Sequence, residues 1–486
     1  ELKVYKVVLF DCVAKGLEIQ IAMIFDQQSI LECLSLYEMF ISSHYYLKYY
    51  EASILFVNEL CIKSASVAIR NADITCFLPL LTHGQFLQNI PSMLGSIPFQ
   101  RILSERKNKF DNAIVVSAGP SLAKQLSLLK AYQDKAVIFC ADGALSMLEK
   151  EGIIPDYVTN LDCRDLAMKF FQNKENLKQS IIALECATHP NVVRSLKAEN
   201  CMIILRNKAL YQRFNLNDFG YIDTGTHVSH FSYTLALALG FKNIIMIGQD
   251  LAFDEEGNSH SKGFSYGEKY EGGANIDKFK IPAYAGKGEV LTHIAWNDYR
   301  IKLEYLFACN EQKAKFYNAT EGGARINFTE ELSFKECCEK LLTKEKPKFE
   351  LPKSLTKNRS DKLLVKFKEK IQKDQENAKR FLDDALALKQ ILENILSKDF
   401  ILPLEFLEKV YQNIENFNHS LDTDEFIQDE VLRGAFAYRG KLISDVLKLH
   451  IKDETHFITA YIKAYHEWLL YFIEKLEQKY KSLSKV

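Results

Sequence analysis

Residues 111–124, DNAIVVSAGPSLAK, run four consecutive apolar side chains, Ala113 to Val116, into a cramped turn and an immediate helix-like restart. A strand that is apolar at every position is buried on both faces, as strands of parallel sheets are. Gly119 lets the backbone turn with no Cβ in the way, and Pro120 presets φ for a first helical turn. Six further runs share the character of the first: AVIFCA (136–141), YVTNLD (157–162), SIIALE (180–185), CMIILR (201–206), NIIMIG (243–248) and AKFYNA (314–319). Amphipathic segments separate them. Apolar strands alternating with helices predict an α/β fold with a doubly wound, mostly parallel sheet.

Around this Rossmann-like centre, expected over residues 86–340, the chain changes character twice. Residues 1–85 mix short β-like runs (KVYKVVLF, ASILFVN) with a helix-like segment and read as part of a small N-terminal α/β domain. The chain opens on Glu1 rather than Met, which reads as a truncated start. Residues 344–362, KEKPKFELPKSLTKNRSDK, are lysine-rich and hold Pro347 and Pro352, placing a linker at 341–359. From 360 the pattern is helical. Leu364, Phe367, Ile371, Ala378, Leu382, Ala385, Leu388, Leu392 and Ile395 recur mostly at steps of three and four, the seam of a long helix. Further helices are expected near 403–417, 423–449 and 454–482, giving a C-terminal helical bundle over 360–486. An aromatic stripe (Phe457, Tyr461, Tyr465, Trp468, Phe472) reads as its core.

Composition narrows the function classes. The 486 residues are 47% hydrophobic and 26% charged, with a net charge of −1. That balance suits a globular chain and argues against a generic nucleic-acid binder. No apolar run reaches the roughly 18 residues of a membrane span. The 11 cysteines are odd in number and form no CxxC, so neither a disulfide framework nor a zinc site is supported. Reduced thiols in the cytoplasm are the simplest reading.

The candidate chemistry gathers where strands end. Ligands of open α/β sheets bind at the carboxyl ends of the strands, and helix N-termini favour anions. The turn Ser117, Gly119, Pro120, Ser121 is thus a candidate phosphate loop. In FCADGALSMLEKEGIIPDYVTNLDCRD (139–165), Asp142 and Asp162 end their strands at the same edge, placed to hold a divalent cation or a ribose; helix capping suits them equally. In YIDTGTHVSHFSYTLALALGFKNIIMIGQDLAF (221–253), Thr224, Gly225 and Thr226 precede a second helix N-terminus. Gly248 and Asp250 follow the next strand. His227 and His230 share a helix face, where packing is the commoner fate. The Gly-rich polar region 254–299 reads as a lid. It carries His260 and His293, either of which could serve as a general base. YNATEGGARI (317–326) brings Asn318 and Glu321 to the same edge.

Five ordered motifs, SAGPSL, ADGAL…PDYVTNLD, DTGTHVSHFSYTLALALGFKNIIMIGQDLAF, NSHSKG and NATEGGARI, resemble the motility-associated factor (Maf) family of flagellin glycosyltransferases over roughly 90–335. The glycine loop and the 224–253 segment also look like bacterial sialyltransferases, although Ala118 stands where those carry Asn. The resemblance implies a CMP-activated nonulosonic acid, such as pseudaminic or legionaminic acid, as donor. It implies Ser and Thr hydroxyls of flagellin as acceptors. It puts Gly119, Pro120 and Ser121 at the nucleotide phosphate, Thr224 to Thr226 at the phosphate or cytidine, and Gly248 and Asp250 by the nucleotide or sugar. The sialyltransferase base lies in the lid, where His260 is preferred over His293. Two alternatives stay open. Asp142, Asp162 and Asp165 could bind Mg²⁺ in a thiamin- or pterin-type pyrophosphokinase, or the chain could be a non-catalytic flagellin-binding adaptor. Self-association as a homo-oligomer is left open.

Overall fold

The computed structural model describes residues 48, 49, 51 and 75–485, apart from 173–174, 197, 272–276, 399 and 401. The N-terminal domain expected over 1–85 lies almost wholly outside the described residues. Two compact units emerge: one spans Gln85–Lys368, and the other takes in the described residues up to Gly84 and those from Glu369 onward.

The first unit is built on a nine-stranded sheet. Its strands are β1 (Asn112–Val116), β2 (Val137–Ala141), β3 (Tyr157–Asn160), β4 (Ile181–Glu185), β5 (Cys201–Arg206), β6 (Gly220–Ile222), β7 (Asn243–Ile247), β10 (Lys315–Asn318) and β11 (Glu330–Glu331). They lie in the order β11-β10-β7-β1-β2-β3-β4-β5-β6. All pairings are parallel, for instance Ala113 opposite Val137 and Ile114 opposite Ile245. The seven runs read in the sequence are all strands of this sheet. Side chains of β1, β2 and β4 are buried at every position, as their unbroken apolar runs require. On one face Val115, Phe139, Met202 and Met246 pack with Phe231, Leu235 and Phe307. Phe139 stacks on Tyr157 with ring centres 4.7 Å apart.

Two features depart from the sequence reading. The glycine loop opens into a five-residue 3₁₀ turn, Pro120–Lys124, before the short helix Leu126–Tyr132. The region read as a lid contains an antiparallel hairpin, β8 (Lys278–Pro282) with β9 (Glu289–His293), in which Lys278 faces His293. Residues 342–356 form neither helix nor strand and run along the α/β unit. Lys346 pairs with Asp156 at 2.6 Å, and the Arg106 guanidinium bonds the Glu350 carbonyl at 2.7 Å while lying over Phe349.

The second unit is helical: Leu404–Thr423, Arg433–Leu447 and Glu454–Leu483 follow the helix Lys357–Leu396. The stripe read as core is core at Tyr461, Tyr465, Trp468 and Phe472, all buried, and Trp468 Nε1 donates to the Ala435 carbonyl at 2.7 Å. The helix expected from 423 begins only at Arg433. Asp424 stops it, because its carboxylate accepts from the backbone N–H groups of Phe426 and Ile427 and offers them an alternative to the helix. The turn that results carries Asp429, whose carboxylate pairs with Lys479 at 2.7 Å with both side chains fully buried. Among the described residues no helix is long and apolar enough to cross a membrane.

Candidate active site

The chain leaves β1 towards β2 on one side, while β7, its other neighbour, leads on to β10. The crevice between the carboxyl ends of β1 and β7 is therefore the topological switch point, where open α/β sheets receive ligands. Three loops meet there. Gly119 N–H donates to the Gly248 carbonyl at 2.8 Å, and Ala324 N–H donates to the Asp250 carbonyl at 2.8 Å. Contact this close needs glycine. A Cβ on Gly119 would run into the Asp250 carboxylate, and one on Gly248, whose φ is +63°, into the Ser117 carbonyl. The Asp250 carboxylate accepts from Ser121 twice, from its backbone N–H at 3.2 Å and from its Oγ at 2.8 Å. Burial pushes the Asp250 carboxyl up to about 7 against these bonds. Ser117 Oγ donates to Gln249 Oε1 at 2.9 Å. The 317–326 stretch lines the far wall. Asn318 is fully buried, its Oδ1 accepting from Thr320 N–H and its Nδ2 without a partner. Glu321 turns away to accept from Phe334 N–H at 3.0 Å, at the start of the helix Phe334–Leu341.

A second polar cluster lies over β2 and β3. Asp142 accepts from Gly143 N–H at 2.7 Å and from the Asn160 amide. Burial raises its carboxyl to about 7, with the charge of Asp162 adding to the rise. Both Asp162 carboxylate oxygens accept from the Arg164 guanidinium at 3.1 Å.

The third element is the loop before the helix Val228–Ala238. Gly225, at φ +66°, sits against the His230 ring, where a Cβ could not fit. Its N–H donates to Asp223, and its carbonyl accepts from the Arg206 guanidinium at the end of β5. Thr226 Oγ1 lies 3.4 Å from Lys302 Nζ, and the Thr224 hydroxyl is buried without a partner. His227 caps the helix through its ring nitrogen. Burial lowers both His227 and His230 to about 4.

Residues 254–271 cover these clusters and are tied to them. Ser261 N–H donates to the Ala118 carbonyl at 2.9 Å, and Ser261 Oγ accepts from Ala123 N–H at 3.1 Å. Ser146 Oγ reaches the Gly263 carbonyl, and Tyr266 OH the Leu166 carbonyl. Phe264 lies over Gly143 and stacks on the His260 ring at 3.9 Å. Burial lowers His260 to about 4, so its imidazole is neutral at pH 7. The charge of His260 adds to the lowering of His227. His293 sits elsewhere. It caps the helix Ile294–Asn310 by accepting from Trp296 N–H at 3.3 Å, and it stacks on the Trp296 ring.

Ser117, Gly119, Pro120, Ser121, Gly248 and Asp250 thus share the β1–β7 crevice, Asn318 ends the neighbouring strand β10, and His260 directly precedes Ser261, which ties the covering segment to the glycine loop. Asp142 and Asp162 form a neighbouring cluster, and Thr224 to Thr226 a third. Sequence reasoning passed over Asn160, Arg164, Arg206, Ser259 and Lys302. Arg206 was within reach, since it ends the run CMIILR at the same edge. Lys302, inside a helix, carries no such signal.

Residues 84–256 match the model of a family described as 6-hydroxymethylpterin diphosphokinase MptE-like. A solved structure, the Maf glycosyltransferase of Magnetospirillum magneticum AMB-1, superposes with a TM-score of 0.58 over 96% of this chain and 69% of that one, at 16% sequence identity. This chain has the fold of a Maf glycosyltransferase. The fold is therefore that of the family whose motifs the sequence resembles. No curated protein matches the chain.

Proposed function

We propose that the chain is a glycosyltransferase that moves a nonulosonic acid, pseudaminic or legionaminic, from a CMP-linked donor to Ser and Thr hydroxyls of flagellin in the cytoplasm. The observation that carries this reading is the placement of a neutral histidine, His260, on a segment bonded directly to the glycine loop at the switch point. The shared fold supports it. In the proposed step the acceptor oxygen bonds to the anomeric carbon as the bond to the CMP oxygen breaks. The bond's electron pair leaves with CMP, and His260 takes the hydroxyl proton. One displacement inverts the anomeric centre. The N-terminus of the helix Val228–Ala238, with Arg206 and Lys302 beside it, offsets the charge on the departing phosphate.

Flagellin co-expressed with this chain and a complete sugar-nucleotide pathway is expected to gain the mass of the acidic sugar, and His260→Ala is expected to abolish the gain. Unmodified flagellin in the presence of the full pathway would remove the reading.

The family match over 84–256 favours a second reading, a pterin-type diphosphokinase with Mg²⁺ at Asp142, Asp162 and Asp165. The donor set fits that ion poorly. Asp142 is engaged by Asn160 and Gly143 N–H, and both Asp162 oxygens are engaged by Arg164. Transfer of diphosphate from ATP to a hydroxymethylpterin, followed chromatographically, separates the two readings.

A further inference from the structure

Ser259 precedes His260 in the segment that covers the crevice, and it is only 4% exposed. Its Oγ lies 2.9 Å from His260 Nδ1, 2.9 Å from the Glu268 carbonyl oxygen and 2.8 Å from the Tyr270 carbonyl oxygen. A hydroxyl has one proton, and carbonyls only accept. If that proton pointed at Nδ1, two oxygen–oxygen contacts under 3 Å would hold no hydrogen between them. If instead Nδ1–H donates to Oγ, the single serine proton is free for the carbonyl side, given to one of the two carbonyls or shared between them. The second arrangement leaves one such contact without a hydrogen instead of two, and the Tyr270 carbonyl, which also hydrogen-bonds the His260 ring, can accept only from a ring N–H. The backbone reinforces it: Ser259 N–H and His260 N–H both donate to the Glu268 carbonyl, fixing the turn, and Phe264 fixes the plane of the imidazole by stacking.

We propose that Ser259 is a positioning residue that holds His260 as the Nδ1–H tautomer, so that Nε2 carries the lone pair that receives the acceptor proton. This rests on the transferase reading above. A neutral imidazole free in water favours the opposite tautomer, with the proton on Nε2 and the lone pair on Nδ1. Ser259 reverses that preference, as the partner of one ring nitrogen sets the role of the other. The proton moves from the acceptor oxygen to Nε2, giving an imidazolium that still donates from Nδ1 to Ser259 Oγ. Loss of that proton to water restores the starting state.

The test is nitrogen NMR of the whole chain labelled with ¹⁵N-histidine, in which the shifts of the two ring nitrogens report the tautomer. His260→Gln identifies the signal. The wild-type chain is expected to show the Nδ1–H pattern at pH 7. Ser259→Ala is expected to move it to the Nε2–H pattern and to lower kcat roughly 10²-fold with the donor KM unchanged. Ser259→Thr, which keeps the hydroxyl, restores both. An Nε2–H pattern in the wild type overturns the proposal even if the alanine variant fails to fold. So does an unchanged spectrum in a folded Ser259→Ala. A chain that transfers no sugar at all removes the transferase reading, while the spectrum still decides the tautomer.

Discussion

Ser121 and Asp250 are bound to each other across the β1–β7 crevice: the serine's N–H and Oγ both donate to a carboxylate 129 residues further along the chain. The first turn after a phosphate-loop-like sequence is thus satisfied internally. Under the proposed function, a donor phosphate would reach these N–H and O–H groups only by displacing this carboxylate, which burial drives towards its protonated form.

Asp250 therefore makes stability depend on pH. Its carboxyl titrates at about 7 in the folded chain, raised first by burial, and near 3.8 when unfolded. Folding takes up a proton between those values. The stability this contributes is complete below pH 4 and is lost as pH rises through 7. Asp250→Asn keeps an acceptor for Ser121 and removes the titration. Its deficit against the wild type is expected to shrink between pH 5 and pH 7 by up to about 1.4 kcal/mol per pH unit. Urea melts at pH 5, 7 and 8 read this directly, and a deficit that widens with pH contradicts it.

The glycines of the crevice should be far less replaceable than those of the covering segment. Gly248→Ala combines a left-handed backbone with a Cβ driven into the Ser117 carbonyl, whereas Gly257, at φ +77°, has nothing within 4 Å of its Cβ position. Gly257→Ala is expected to cost about 1–2 kcal/mol. Gly248→Ala should cost clearly more and abolish CMP binding. Calorimetric melts of both variants, with CMP titrations, make the comparison. Equal losses would show that the three loops are not locked together.

Much of this fold is legible in the sequence because strands buried on both faces leave unbroken apolar runs, and seven such runs became seven neighbouring strands. β6 escapes notice because Gly-Tyr-Ile is too short to show a period. The β8–β9 hairpin escapes because Lys278, Phe279 and Lys280 are all exposed, so no apolar pattern marks it. The site is half legible. Gly119 and Gly248 announce close approach by their type and position. The capture of Ser121 by Asp250 depends on which loops the sheet order brings together, and no local pattern encodes it. His260 and His293 look alike in sequence. They differ only in surroundings: one stacks on Phe264 in the segment that Ser261 ties to the glycine loop, the other is spent as a helix cap.

His260 should set an acid limit on catalysis that lies low in the free enzyme. Burial takes its imidazole down to about 4, so the base is in its working form down to that pH. An anionic donor bound nearby favours the imidazolium and raises that value. The acid limb of kcat/KM, which reports the free enzyme, is expected near pH 4, and that of kcat at higher pH. Rate profiles from pH 4 to 8 test this, with Tyr270 and His227 as the titratable neighbours to vary. A single limb near 6.5 in both profiles would mean that the burial is lost in solution.

In the helical unit, Lys479 and Asp429 pair at 2.7 Å with no exposure of either side chain, and the ammonium lies 3.8 Å from the centre of the Phe426 ring. The pair joins the turn that interrupts the bundle to the helix Glu454–Leu483. Removing one partner from a buried ion pair leaves a desolvated charge behind, which costs about 3–5 kcal/mol, whereas replacing both with apolar groups of similar size is often neutral. Lys479→Met is therefore expected to destabilise the chain by that amount. Combining it with Asp429→Leu should recover most of the loss, because the double change removes the stranded carboxylate as well. Denaturant melts of the two singles and the double measure the coupling. Losses that simply add would mean that Lys479 stabilises the bundle through the packing of its methylene stem and not through its charge.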